Sequence, residues 1–138
     1  MVLDHVCVAV RSIDRAANRY CELFGYEIET EVVENTRQQV LVQFLSKEGS
    51  LDIKLIAPSN PKSPLVEFLK KGEGLHHVCF KVDDLESGVS TLQEKKARLL
   101  AGPEPGEAFC GENIGFVYAG HGLNVELIDT DCRANRKK

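Results

Sequence analysis

Leu75-His76-His77-Val78-Cys79-Phe80-Lys81-Val82 is the stretch that decides the fold, because it repeats Leu3-Asp4-His5-Val6-Cys7-Val8-Ala9-Val10. His-Val-Cys returns 72 residues on (77 minus 5, 79 minus 7), and the same offset relates Lys54 to Glu126 (126 minus 54). Self-similarity at one spacing marks a duplicated unit. Both copies are short apolar runs of strand character, and side chains on a strand alternate faces. His5 therefore shares a face with Cys7, His77 with Cys79, and Asp52 with Lys54.

Outward from these strands, each copy continues into a helix. Ser12 is placed to cap a helix from about Ile13 to Phe24, with Ile13, Ala17, Tyr20 and Phe24 on one side and Gly25 ending it. In the second copy Asp83 or Asp84 caps a helix whose buried stripe is Leu85, Val89 and Leu92. Alternating, β-branched segments follow at Tyr26 to Val33, Gln39 to Leu45 and Asp52 to Ile56, and again at Arg98 to Ala101, Ile114 to Tyr118 and Asn124 to Ile128. Lys47-Glu48-Gly49-Ser50 and Gly120-His121-Gly122 read as hairpin turns. The fold class is thus α+β, a βαβββ module written twice, over about 1–57 and 73–130 of a single domain spanning 1–138. The connector, about 58–72, holds a short helix announced by Ser63 and Pro64 and anchored by Leu65, Phe68 and Leu69. Gly102-Pro103-Glu104-Pro105-Gly106 is expected to be a loop over one mouth of the sheet, and Thr130 to Lys138 a frayed polar tail.

Composition narrows the function. A 138-residue chain with 43% hydrophobic and 28% charged residues is expected to be soluble and globular, and halves of this size would each be marginal alone, so they should pack together. The net charge of −4 argues against nucleic acid, since the one basic cluster is Arg133, Arg136, Lys137 and Lys138. No apolar run approaches the ~20 residues of a membrane span, and no leader pattern is evident, which places the protein in the cytoplasm. Five cysteines without CxxC spacing suggest reduced thiols over a disulfide framework.

If the modules pack about a pseudo-twofold axis, His5, His77, Lys54 and Glu126 converge. His5, His77 and Glu126 are a three-ligand set for a divalent ion that would polarise a carbonyl and stabilise an enolate. Lys54 disturbs that scheme, because an ammonium has no lone pair and repels a cation. Three arrangements remain: a metal on the three ligands with Lys54 paired to Glu126, Asp52 or an anionic substrate; a metal-free Lys54–Glu126 salt bridge; or Lys54 itself as the electrophile. Cys7 and Cys79 could complete a His2Cys2 site, but small packing residues are the simpler reading. His76 should face away from His77, in a surface or second-layer position. His121 sits in a turn, and Glu107 and Glu112 lie in the loop preceding a pocket strand, where a catalytic base could stand but solvent exposure is the simpler expectation.

These residues resemble the vicinal oxygen chelate superfamily of glyoxalases, bleomycin-resistance proteins and extradiol dioxygenases, and within it the methylmalonyl-CoA epimerases. The likeness rests on Leu3-Asp4-His5-Val6 and on the long run from Ser63-Pro64-Leu65-Val66-Glu67-Phe68-Leu69 through Lys70-Lys71-Gly72-Glu73-Gly74 to Leu75-His76-His77-Val78. It implies a curved mixed sheet around a central cavity, and metal ligands at His5, Lys54, His77 and Glu126, where the family has Gln or Glu in place of Lys54. It also implies a divalent ion (Co, Mn, Zn, Ni or Mg), absent if Lys54 takes its place. Glu126 and Lys54 become the acid–base and charge-bearing groups. A second carboxylate found in some epimerases falls near Val42, which cannot carry a proton, and Gln43, Glu34 and Asp52 are weak substitutes. The implied activity is α-proton transfer beside the carbonyl of an acyl-CoA, an acyl-carrier thioester or a related acid, in a homodimer. The alternative is a metal-free binding or sequestering protein in which Lys54 replaces the ion. Glyoxalase or dioxygenase activity is disfavoured by the central signature, and extradiol dioxygenases generally need a longer chain.

Overall fold

A computed structural model describes residues 1–137. In chain order the elements are β1 (Val2–Ala9), α1 (Ile13–Phe24), β2 (Glu27–Ile28), β3 (Val33–Asn35), β4 (Val40–Ser46), β5 (Asp52–Pro58), α2 (Leu65–Lys70), β6 (Gly74–Lys81), α3 (Leu85–Glu94), β7 (Arg98–Pro105), β8 (Asn113–Gly120) and β9 (Leu123–Ile128). A 3-10 turn, Glu107–Phe109, lies between β7 and β8. The strands form one curved, mixed sheet in the order β2-β4-β5-β1-β6-β9-β8-β7, with β3 added on β4. From the middle outward the two sides match: β1, β5, β4 on one, β6, β9, β8 on the other. β1 and β6 meet antiparallel, whereas β1 with β5 and β6 with β9 run parallel.

The helices start and stop where the sequence marks them. Ser12 accepts a hydrogen bond from the Arg15 amide (3.3 Å) and Gly25, at φ +75°, closes α1 by donating to Cys21 O. Asp84 caps α3 by accepting from the Ser87 amide at 2.9 Å. Both helices cover the convex face. Ile13 and Ala17 pack on Leu45, Leu55 and Ala57, while Leu85 and Val89 pack on Val117, Val125 and Leu127. Period-2 alternation sends the intervening residues Val40, Val42, Phe44, Ile56, Cys7, Cys79 and Ile114 into a separate concave core.

Four expectations are corrected. The Tyr26 to Val33 strand is broken into β2 and β3, because Glu29 and Thr30 both donate to the Phe44 carbonyl and Thr30 Oγ1 accepts from the Phe44 amide, which interrupts the ladder. The Gly102 to Gly106 segment is no loop over the sheet's mouth: β7 continues through it to Pro105. Gly102 makes that possible, at φ +79° and so close to β8 that a Cβ would lie 2.4 Å from the Ile114 carbonyl oxygen. The tail is held rather than frayed. Glu31 N donates to Asn135 O, Lys137 N to Glu29 O and Ala134 N to Ala108 O, each within 2.9 Å; Lys138 lies outside the described residues. Finally, Cys110 and Cys132 form a disulfide with Cα atoms 6.0 Å apart, while Cys7, Cys21 and Cys79 are free thiols. Neither partner has a spacing signature, so only the fold reveals their proximity.

Among the described residues no helix is long and apolar enough to cross a membrane.

Candidate active site

The duplicated register builds the centre of the concave face. Cys7 lies opposite Lys54 in the β1–β5 ladder, and Cys79 lies opposite Glu126 in the β6–β9 ladder, so the 72-residue offset survives as cross-strand geometry. The β1–β6 pairing slips twice. Leu3 faces Phe80 and His5 faces Cys79, leaving Asp4 as an extra residue; Cys7 faces His77 and Val8 faces Leu75, leaving His76 as the other. Asp4 and His76 are themselves equivalent residues of the repeat, so each copy carries a bulge immediately before its histidine. The bulge explains why His76 does not point away as alternation predicts: it lines the same cavity as His77.

All four predicted site residues come together, and they meet on one atom. Glu126 Oε1 is 2.7 Å from Lys54 Nζ, 3.1 Å from His5 Nε2 and 3.3 Å from His77 Nε2. His5, Lys54, His77 and Glu126 are all buried, at 0%, 4%, 3% and 0% exposure. Glu126 Oε2 has no partner among the described residues. Each histidine is also held from behind by its bulge residue, His5 Nδ1 by Asp4 Oδ2 at 2.7 Å and His77 Nδ1 by His76 Nδ1 at 2.8 Å. Phe109 and Phe44 enclose His5, Phe116 meets the edge of His77, and Phe68 meets His76.

Charge follows from this packing. Burial alone would raise the Glu126 carboxyl, but Lys54 and the two histidine hydrogen bonds outweigh it and hold the group well below the ordinary carboxylate range. Burial opposes the Lys54 ammonium, and Glu126 more than offsets it, so Lys54 is raised above its usual value. His77 is pushed down to about 4 by burial and by Lys54, and His76 is lowered by the same two causes. A neutral His77 donating from Nε2 to Glu126 must accept at Nδ1. His76 is then the Nδ1 donor, and its own Nε2 keeps a lone pair. Cys7 is pushed up to about 12 by burial and Cys79 is raised likewise, so neither offers a thiolate to a metal.

His5, His77 and Glu126 constitute a candidate metal-ligand group. Separations of 3.1 and 3.3 Å suit atoms that each lie about 2.1 Å from a shared ion. Lys54 does not suit it. Its nitrogen already occupies the common oxygen, has no lone pair to give, and at 4 Å from a dication would be repelled by about 8 kcal/mol in a medium of effective dielectric ~20. Taken together, the four residues fit a Lys54–Glu126 ion pair flanked by two histidines and do not fit a divalent ion.

Above this floor lies a cavity of about 470 Å³. Val40, Val42, Ile56, Leu65, Phe109 and Phe116 form its apolar wall, and Arg37, Gln38, Asn35, Glu104 and Asn124 supply polar groups. Sequence reading missed Arg37 and Glu104, which have no counterpart in the repeat. The substitutes considered for a second proton carrier lie elsewhere: Gln43 donates to Thr30 O, Asp52 pairs with Arg133, and Glu34 is exposed. Glu107 accepts from the amide and hydroxyl of Thr36, and Glu112 and His121 are exposed.

A further unexpected residue is Arg133, in the segment expected to fray. Its guanidinium contacts Asp4 (2.9 Å), Glu29 (2.7 Å) and Asp52 (2.5 Å), and sits 4.1 Å over the Phe44 ring. It therefore fixes the carboxylate that fixes His5.

Comparison with known proteins agrees with this architecture. Residues 4–116 match the glyoxalase/bleomycin resistance protein/dioxygenase superfamily. The mitochondrial methylmalonyl-CoA epimerase of Dictyostelium discoideum is 32% identical over 129 residues, covering 91% of this chain and 76% of that protein. The ethylmalonyl-CoA/methylmalonyl-CoA epimerase of Cereibacter sphaeroides is also 32% identical over 129 residues, covering 91% and 95%. The chain spans 56% of the mouse mitochondrial enzyme's length. A methylmalonyl-CoA epimerase variant from Streptomyces coelicolor, solved in complex with 2-nitronate-propionyl-CoA, superposes with a TM-score of 0.81 at 26% identity, covering 96% of this chain and 99% of that one.

Proposed function

The chain belongs to the glyoxalase/bleomycin resistance protein/dioxygenase superfamily, and on that footing we propose that it is an epimerase-like isomerase moving the α-proton of an acyl-CoA thioester. The substrate class comes from the relatives that carry methylmalonyl-CoA and ethylmalonyl-CoA in their names. The observation that carries the reading is Glu126 at the cavity floor, with one oxygen held by Lys54, His5 and His77 and the other without a partner among the described residues.

The chemistry follows from the balance of charge. Lys54 makes one hydrogen bond among the described residues, to Glu126, and has two further N–H donors for a thioester oxygen. As the α-proton leaves for Glu126 Oε2, negative charge passes to that oxygen, where the ammonium stabilises it. Drawing Lys54 towards the enolate loosens its hold on Glu126, which raises the basicity of the carboxylate as the proton arrives. No step is assigned to a divalent ion, because Lys54 sets a cation without a lone pair against the carboxylate that would ligate one. Returning the proton to the other face requires a second group. Glu104 and His76, both half-buried on the cavity wall, are the remaining lining residues able to supply it. The apolar wall excludes water from the enolate, and Arg37 at the exposed rim offers a cation to the phosphates of a CoA carrier.

The reading extends to a homodimer and to the cytoplasm, which light scattering and cell fractionation test. The activity itself is tested by incubating one enantiomer of methylmalonyl-CoA, and separately of ethylmalonyl-CoA, in D2O, and following α-deuterium by NMR and inversion by circular dichroism. Inversion with deuterium uptake is expected, and Glu126→Gln should remove it. Binding of both thioesters with neither event would favour a sequestering protein.

A further inference from the structure

We propose that Lys54 bars a divalent ion from this site by holding a tethered ammonium against its carboxylate ligand, and that the other three ligands remain an intact but latent metal site which one substitution reopens. The inference deepens the reading of the site above, but it concerns the protein alone and is tested without substrate.

Three observations carry it. Lys54 Nζ bonds the very oxygen on which both histidine Nε2 atoms converge, at 2.7 Å against their 3.1 and 3.3 Å. It thus holds the carboxylate oxygen that the ligand set shares. The hydrogen bonding of His77 closes without a metal: with Nε2 donating to the Glu126 carboxylate its Nδ1 is left to accept, whereas a metal ligand needs a lone pair at Nε2. The Nδ1-to-Nδ1 contact with His76 completes that tautomer without leftover donors. Third, the surroundings are shaped for one fixed cation. Lys54 is 4% exposed, Phe109 presents its ring 5.5 Å from Nζ, and the nearest buried carboxylate supplies a single balancing charge. A dication added to this set would leave two excess positive charges in a buried space.

The rest of a metal site is nevertheless present. His5, His77 and Glu126 can each place one ligand atom within 4.8 Å of the others. Asp4 behind His5 at 2.7 Å is the outer carboxylate that orients a metal-bound imidazole. Only the fourth corner has the wrong chemistry. Replacing the ammonium by an amide of similar reach removes the repelling charge and supplies a carbonyl oxygen.

The experiment strips wild type, Lys54→Gln and Lys54→Met with a chelator, confirms their folding by circular dichroism, and titrates each with Co(II). Visible ligand-field absorption is recorded alongside equilibrium dialysis with elemental analysis. Wild type should show no ligand-field band at saturation and less than about a tenth of an ion per chain. Lys54→Gln should bind close to one ion per chain, at least about 100-fold more tightly than wild type. Lys54→Met, with the charge gone and no fourth ligand, should fall between them, and adding His77→Ala to Lys54→Gln should abolish the gain. Stoichiometric Co(II) on wild type with an affinity equal to that of Lys54→Gln would overturn the inference. So would folded Lys54→Gln and Lys54→Met proteins that bind no better than wild type. A failure of the epimerase reading would leave each of these readouts unchanged.

Discussion

Arg133→Met should cost this protein much of its stability, although only five residues follow it in the sequence. One guanidinium at 7% side-chain exposure is surrounded by Asp4, Glu29 and Asp52, whose side chains are 18%, 15% and 24% exposed. Removing one partner of a buried ion pair costs about 3–5 kcal/mol, because the remaining charge is left desolvated. Partial exposure of the carboxylates screens them, and Arg136 still reaches Glu29 at 3.0 Å, which places the loss nearer the lower bound. The cation–π contact with Phe44, 4.1 Å away, adds about 1 kcal/mol. Methionine keeps the apolar stem, so the loss is mainly one of charge. A total of about 4 kcal/mol corresponds to a fall in Tm of about 14 °C for a chain of this size. Urea unfolding followed by circular dichroism measures it, and Asp52→Asn supplies the control. In wild type Asp52→Asn should destabilise, whereas in the Arg133→Met background it should restore about 1 kcal/mol by relieving carboxylate repulsion. A loss below about 1 kcal/mol for Arg133→Met, or the same effect of Asp52→Asn in both backgrounds, would refute the reasoning.

Other consequences are quickly checked. With Cys110 and Cys132 joined, and Cys7 and Cys79 buried and raised in pKa, native protein should present one reactive thiol, Cys21; three should titrate after unfolding and five after unfolding with reduction. Five thiols without reduction would rule out the disulfide. If Glu104 and His76 divide the second proton transfer unequally, Glu104→Gln and His76→Asn should differ: the variant lacking the second group keeps deuterium uptake from one enantiomer but loses inversion by about 100-fold or more. Equal, near-wild-type inversion in both would eliminate the pair. Gly102→Ala should destabilise by at least about 1–3 kcal/mol, because its Cβ would meet the Ile114 carbonyl at 2.4 Å in a backbone conformation that favours glycine. Thermal melting that matches wild type would show that β7 can shift away.

The central strands and their site were legible because duplication turns an ambiguous short motif into a register. His5, His77, Lys54 and Glu126 are the residues that the offset selects, and the fold brings them onto one carboxylate oxygen. Caps at Ser12 and Asp84 were equally readable, since a cap is local chemistry. What escaped reading was everything that breaks the period or joins distant segments. The bulges at Asp4 and His76 shift a side chain by one position, and alternation has no term for that. Arg133 meets Asp4 across 129 residues and Cys110 meets Cys132 across 22; polar, unpatterned sequence near a terminus gives no sign of either. Glu104 was hidden in a Pro- and Gly-rich stretch that resembles a loop, yet pairs as a strand because Gly102 lets the backbone pass close to β8.

Whether proton transfer here runs on the Lys54 ammonium is tested most directly by α-deuterium exchange into methylmalonyl-CoA, before and after chelator treatment, with metal content measured on the same samples. The expected result is an exchange rate unchanged by chelation, unchanged by added Co(II), Mn(II) or Zn(II), and reduced by about 100-fold or more in a folded Glu126→Gln protein. Exchange that disappears with the chelator and returns with a divalent ion would contradict it.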